Sequence, residues 1–257
     1  MTFNIATAIE DFWIARMRGE FCPQAYLNRL TLDDAYRIQL ALIDRRVAAG
    51  ERHIGWKVGL TAKVIQEQFG FHEPLFGCIL ETQPTGRVFG TTELIHPGFE
   101  TELCIRLKRG LEGPATLEQV RAAVDVVHPS FEIIETRGDP LKQTALVIAD
   151  NAQQRSVVIG APVNLSPTMA LDLVTARVQL NGHEVATGLG SAVLGNPLNT
   201  RRVRAPAAPR RHHHDWIVRA SIPAQPRRRC RGRVLRHRQR GTKDRQCVNA
   251  CSEAGPQ

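Results

Sequence analysis

Apolar residues recur at helical spacing through the first fifty positions and switch to strand-like alternation further along. The stretch TFNIATAIEDFWIARMRG predicts one helix. TLDDAYRIQLALIDRRVAAGE predicts a second. Thr31 stands at its N-cap, Asp34 completes an approximate capping box, Ala35, Ile38, Leu42 and Val47 make one stripe, and Gly50 can end it. A short apolar strand, HIGWKVGL, and a short helix, AKVIQEQFG, follow. From about residue 76 the period becomes that of strands. ETELCIRL alternates, and TLEQVRAAVDVVH reads as a helix leading into a strand, PSFEIIE. ALVIAD and SVVIGAPV are apolar, β-branched runs in the same strand-rich region. LVTARVQLNGHEVATG predicts a hairpin closed by Asn181-Gly182, the preferred pair for a two-residue primed turn. No internal repeat is present. The pattern predicts an α+β fold, with a helical region and first strand over residues 1–75 and a β-rich core over 76–199.

Composition narrows this picture. With 257 residues, 42% of them hydrophobic, the chain can bury one large core or two small ones. It has no apolar run long enough to predict a transmembrane helix, and its N-terminus does not read as a signal peptide, so the cytoplasm is the expected location. Cys22, Cys78, Cys104, Cys230, Cys247 and Cys251 form no CxxC pair and are expected to be free thiols.

Charge divides the chain. Residues 1–200 carry 18 Lys+Arg against 22 Asp+Glu, whereas 201–257 carry 16 against 3. The basic segment has almost no apolar periodicity and is expected to be disordered. Three readings of it stay open: an arginine-rich arm for RNA or DNA, a solvated extension, or a C-terminus read out of frame from GC-rich coding DNA. The genetic code bears on the last. One base forward, the codons around Asp215–Ile217 permit Thr-Gly-Ser, those of Arg229–Val234 permit Ala-Ala-Gly-Asp-Val, and those of Arg236–Gln239 permit an Asp-Ile-Gly stretch. The nucleotide sequence around codon 200 is the decisive observation. His212–His214 lie in this segment and are given no metal role.

The candidate chemistry begins with GFETELC. Glu100 and Glu102 are two apart on a strand and so project from one face. Two carboxylates there repel unless a cation sits between them, and all-oxygen ligation suits a hard cation such as Mg²⁺, Mn²⁺ or Ca²⁺. A solvated strand face is the plain alternative. A second acidic strand, HPSFEIIET, offers Glu132 and Glu135 for a third carboxylate. Lys57, inside the Gly-flanked strand GWKVGLT, is a candidate general acid/base or a snorkelling lysine. Asp150 and Asn151, after ALVI, are either a turn or polar groups lining a pocket. The Gly-rich GLGSAVLGNP connection, which holds Ser191, matches no nucleotide-binding loop.

Taken together, GWKVGLTAKVIQEQFGFHEPLFG, IHPGFETEL, HPSFEIIETR, IADNA and GSAVLGNPLN, in this order, resemble the 2-oxopent-4-enoate (2-hydroxypentadienoate) hydratase and 4-oxalocrotonate decarboxylase family of the fumarylacetoacetate hydrolase superfamily. The resemblance covers roughly residues 30–199. It implies a β-rich roll as the catalytic core. It also implies a divalent metal, Mg²⁺ or Mn²⁺, held by Glu100, Glu102 and Glu132, with Lys57 in the active site as proton shuttle. Asp150, Asn151 and Ser191 become candidate substrate-binding residues. The implied reaction polarises a short unsaturated 2-oxo acid, protonates C5 and adds water at C4 to give 4-hydroxy-2-oxopentanoate. A 2-oxo-acid decarboxylase is the alternative within the family, and nucleic-acid binding through the basic arm is the alternative outside it. Homo-oligomeric assembly is implied, with an aldolase or decarboxylase of the same pathway as a further partner. Two departures stand out. Leu75 occupies the place where many hydratases carry an acid, in EPLFG, and the family's final strands are missing from 200–257 as written. A chain lacking those strands is expected to be unstable or inactive, because its core strands lose pairing partners.

Overall fold

The structure is a computed structural model that describes residues 4–90, 92–111, 115–202, 217–221 and 225–226. Helix α1 (Ile5–Met17) starts at Asn4, whose side chain accepts from the backbone N–H groups of Ala6 and Thr7. Helix α2 (Leu32–Ala48) opens with the expected capping box between Thr31 and Asp34. Strand β1 (Gly55–Gly59), helix α3 (Lys63–Phe69) and strand β2 (Leu75–Ile79) follow. After the two-residue strand β3 (Thr82–Gln83) comes β4 (Pro97–Leu107).

Helix α4 is shorter than the sequence pattern predicts. It spans Leu117–Ala123, and β5 takes over at Val124 and runs to Glu135. The segment VDVVH therefore belongs to the strand. Its β-branched residues fit a pleated surface, and the register from Leu107↔Val124 to Pro97↔Glu135 gives β5 a partner along nearly its whole length. The run TALVIA differs in the opposite sense. It forms helix α5 (Thr144–Ala149) rather than a strand. A short apolar run does not reveal its own period, and here the burial of Leu146, Val147, Ile148 and Ala149 among the N-terminal helices decides it.

Strands β6 (Gln154–Ile159) and β7 (Val163–Asn164) complete one side of β5. The predicted hairpin is present as β8 (Thr175–Leu180) and β9 (His183–Leu189). Asn181 and Gly182 both have positive φ, as a primed turn requires. Two pieces of the basic segment are also described: β10 (Ile217–Ser221) and β11 (Gln225–Pro226). Apart from these strands and residues 201–202, that segment, with His212–His214, Cys230, Cys247 and Cys251, lies outside the described residues.

The main sheet has eight strands in the order β2-β1-β10-β4-β5-β6-β3, with β7 also on β5. Thus β10 lies between β1, to which it is parallel, and β4, to which it is antiparallel. A second sheet has the order β11-β9-β8. One apolar core joins α1, α2 and α5 through Phe12, Ile38, Leu42, Leu146 and Ile148, and it reaches the sheet at Val58 and Phe76. Another packs Val120 and Ala123 of α4 against Ile105, Leu107 and Val127. The middle of β4, from Thr101 to Ile105, is buried on both faces, so any charge there is held in a poorly solvated place.

Among the described residues no helix is long and apolar enough to cross a membrane. Cys22, Cys78 and Cys104 are free and buried, and burial pushes the Cys22 and Cys78 thiols up to about 12. Neither is a nucleophile at neutral pH.

Candidate metal and catalytic site

Glu100 and Glu102 share a face of β4, and Glu100 stands directly opposite Glu132 across the β4–β5 ladder. Directly opposed residues in an antiparallel pair project from the same face. All three carboxylates therefore point together, and one oxygen from each lies within 4.8 Å of the others. Glu102 and Glu132 are buried, while Glu100 is exposed and forms the open side. On the other face of the same two strands Phe99 stands edge-on to Phe131 at 5.2 Å.

Lys57 joins this cluster from β1. Its Nζ is 2.9 Å from Glu132 Oε1 and donates to the carbonyl of Ala152 at 3.0 Å. The lysine is buried, 6% exposed, so it does not snorkel to solvent.

Three side chains hold the strand beneath it, and two of them, Tyr36 and Gln39, the sequence pattern did not mark. Opposite Lys57 in the β1–β2 ladder is Gly77. A Cβ there would lie 3.0 Å from Lys57 Cγ and 3.1 Å from Cε, so glycine leaves the lysine its path, and a side chain would push it aside by a few tenths of an ångström. The residues flanking Gly77 are fixed from outside the ladder. Phe76 N–H donates to the Tyr36 hydroxyl, and its carbonyl accepts from Gln39 Nε2. The Cys78 N–H donates to Asn151 Oδ1 at 2.7 Å, and Asn151 Nδ2 donates back to the Cys78 carbonyl at 2.8 Å. Asn151 thus serves as a one-residue strand partner for the sheet edge at β2. Gln39 did leave a signal: it is a polar residue one position beyond Ile38 in the buried stripe of α2, and it also donates to the Ile148 carbonyl at 2.7 Å.

The turn that carries Asn151 is strained. Asn151, Ala152 and Gln153 have φ of 58°, 48° and 64°. Consecutive left-handed residues without glycine are unfavourable, by about 1–2 kcal/mol each. The surroundings over-determine them: Asn151 holds Cys78, the Ala152 carbonyl holds Lys57, and Gln153 Oε1 accepts from Arg137 N while its Nε2 donates to the Gly138 carbonyl.

The remaining sequence candidates lie apart from this cluster. Glu135 falls on the opposite face of β5, where it accepts from Ile95 N and from Arg137 Nη1. Asp150, expected to line the substrate pocket, instead accepts from Arg137 Nε and faces Arg16 at 3.7 Å. Burial raises its pKa above the ordinary carboxylate value, against the pull of Arg137. Asn151 has spent its amide on Cys78. Ser191 is exposed on the connection after β9, where its backbone N–H donates to the Asp172 carbonyl. Among the described residues, none of Glu135, Asp150, Asn151 and Ser191 is hydrogen-bonded or ion-paired to the carboxylate trio. Leu75 begins β2 opposite Gly59 and packs into the helical core.

The trio fits a hard divalent cation. It supplies oxygen ligands only, from three groups that repel one another when ionised, with one side open for a substrate.

No protein-family model matches the chain. It is 39% identical over 177 residues to a 2-hydroxypent-2,4-dienoate hydratase of Pseudomonas putida, an alignment covering 66% of this chain and 79% of the relative. It is 35% identical over 191 residues to a 4-oxalocrotonate decarboxylase of Pseudomonas sp. (strain CF600), covering 72% of each. Its fold is similar to that of a 4-oxalocrotonate decarboxylase from Pseudomonas putida G7 solved with magnesium and adipate. There the TM-score is 0.74 at 28% identity, covering 88% of this chain and 91% of the other.

Proposed function

Because this chain belongs to the family of 2-hydroxypentadienoate hydratases and 4-oxalocrotonate decarboxylases, within the fumarylacetoacetate hydrolase superfamily, we propose that it is a divalent-metal-dependent hydratase. Its substrate would be 2-hydroxypenta-2,4-dienoate and its product 4-hydroxy-2-oxopentanoate, a step in aromatic meta-cleavage catabolism. The single observation carrying this reading is the meeting of Glu100, Glu102 and Glu132 at one open-sided point with Lys57 beside them.

In this reading Glu100, Glu102 and Glu132 hold Mg²⁺ or Mn²⁺, which supplies Lewis-acid polarisation of a bound 2-oxo acid. Lys57 carries a proton at Nζ, held in place by Glu132 and the Ala152 carbonyl. It would deliver that proton to C5 of the dienol while the 2-hydroxyl proton replaces it on Nζ as the 2-oxo group forms, and water would then add with its hydroxyl at C4 and its proton at C3. Burial of Lys57 and Glu132 keeps bulk water from competing for that proton. The partner is thus a small unsaturated 2-oxo or 2-hydroxy carboxylic acid. A homo-oligomer belongs to the same proposal, with an aldolase or decarboxylase acting on neighbouring intermediates.

A decarboxylase is the second reading, favoured by Leu75. Its side chain packs into the helical core and offers no acid where many hydratases carry one. Spectrophotometric loss of the dienol with added Mg²⁺, against CO₂ release from 4-oxalocrotonate, separates the two. Glu102→Gln is expected to abolish Mg²⁺-dependent turnover of either substrate. Activity unchanged in that variant would remove the trio from the mechanism.

A further inference from the structure

The basic segment enters the main sheet as β10, and the register of that strand sets a second cationic residue beside the candidate site. Arg219 pairs with Lys57 of β1 on one side and with Cys104 of β4 on the other. Two residues on, Ser221 pairs with Glu102. Paired residues on neighbouring strands share a face of the sheet. Arg219 therefore belongs to the face that carries Lys57, Glu100, Glu102 and Glu132. Its position is diagonal to Glu102 across the β10–β4 ladder, a relationship that sets two residues roughly 7–8 Å apart, within the reach of long side chains.

Lys57 and Arg219 are like charges directly opposed on neighbouring strands, an arrangement that is destabilising without counter-charge. Arginine keeps its proton at any pH at which a protein is folded, so it cannot relieve the repulsion by becoming neutral. The counter-charge on that face is the carboxylate trio, of which Lys57 already meets Glu132 at 2.9 Å. Charge then decides what the trio asks of a metal. Three ionised carboxylates with Lys57 alone leave a net charge of −2, which one divalent cation neutralises. With Arg219 on the same face the remainder is −1. A divalent cation entering the trio must then displace a cation that the chain itself supplies or sit beside it, and either weakens binding.

We propose that Arg219 is an internal competitor for the carboxylate trio, a residue of the basic segment that lowers the affinity of the site for a divalent cation. The proposal rests on the reading of the trio as a metal site. It concerns how tightly this chain loads its metal, whichever acid it turns over.

Calorimetric titration of the full chain with Mn²⁺ tests it. Arg219→Gln is expected to bind Mn²⁺ more tightly than the parent by about tenfold or more, and Arg219→Lys, which keeps the charge, to stay near the parent. Arg219→Met, which keeps an unbranched apolar stem, gives the same reading should the Gln variant fail to fold. Arg177→Gln, exposed on β8 in the other sheet, makes the same change in net charge and is expected to leave the affinity where it was. Equal or weaker binding in Arg219→Gln and Arg219→Met overturns the proposal, and so does an equal gain in Arg177→Gln. In those outcomes Glu102→Gln still loses the ion, and the metal site stands without its competitor. If Glu102→Gln binds Mn²⁺ as well as the others, or if no variant binds it, the reading of the trio falls and this proposal falls with it.

Discussion

Lys57 Nζ lies 2.9 Å from Glu132 Oε1 although two strands, β10 and β4, separate theirs in the sheet. Both side chains are buried, 7% and 1% exposed. Removing one member of such a pair strands the other charge in a poorly solvated place. Lys57→Met is therefore expected to cost about 3–5 kcal/mol in metal-free protein. Millimolar Mg²⁺ should recover part of that loss, because a cation on the trio takes over the role of the ammonium group. Urea denaturation with and without Mg²⁺ measures both quantities. A variant as stable as the parent without metal would mean that Glu132 does not depend on the lysine.

Gly77 separates position from stability. In Gly77→Ala the new methyl group meets Lys57 Cγ, Cδ and Cε at 3.0–3.2 Å, and the flexible lysine moves rather than the backbone. The shift needed is a few tenths of an ångström, so turnover should fall by less than the roughly 100-fold of a 1 Å misplacement, with a smaller loss of stability than in Lys57→Met. Steady-state kinetics beside urea midpoints give the comparison.

Asn151 holds Cys78 through one donor and one acceptor, both to backbone. Asn151→Ala leaves two buried backbone groups unmet, an expected cost of about 2–4 kcal/mol. Hydrogen exchange at the Cys78 amide should quicken with it. If Asn151 instead bound substrate, KM would rise with the amide still protected.

His53 supplies a pH signature. Burial lowers its pKa below the ordinary imidazole value of 6.5, and the ring packs edge-on to Trp56 at 4.8 Å. Its folded form thus prefers to be neutral. The unfolded chain takes up the proton first as pH falls, so the stability from this group is complete above pH 6.5 and is lost on descent towards the folded value. Urea midpoints from pH 7.5 to 5 should decline, and His53→Phe should flatten that part of the curve.

Strand β10 makes the basic segment testable. A chain ending at Asn199 loses the strand between β1 and β4 and splits the main sheet into two pieces with unpaired edges. It is expected to show no cooperative unfolding transition by circular dichroism. A truncated chain that melts cooperatively with the same midpoint would show that β10 contributes nothing.

Local signals carried as far as the physics behind them is local. Thr31 and Asp34 stand three apart, so the capping box was legible. Asn181-Gly182 fixes its own turn, and the two-residue spacing of Glu100 and Glu102 puts them on one face whatever surrounds the strand. Where a segment's period is short or mixed, local reading failed. TALVIA became a helix because α1 and α2 offered it a core, and VDVVH joined β5 because β4 offered it a ladder. The segment after residue 200 gave no sign of β10, since strand pairing there is a matter of what lies on either side.

The sequence by itself determined the α+β class, the helix and hairpin boundaries that caps and turn residues encode, and the two acidic side chains of β4. Between Glu132 and Glu135 the residues alone left the choice open and the resemblance pointed to Glu132 with Lys57; the tertiary structure is what brings both to the trio and turns Asp150 away to Arg137. Those outcomes depend on register and on the direction of a left-handed turn, which bring together residues up to 95 positions apart. No window of sequence contains both partners.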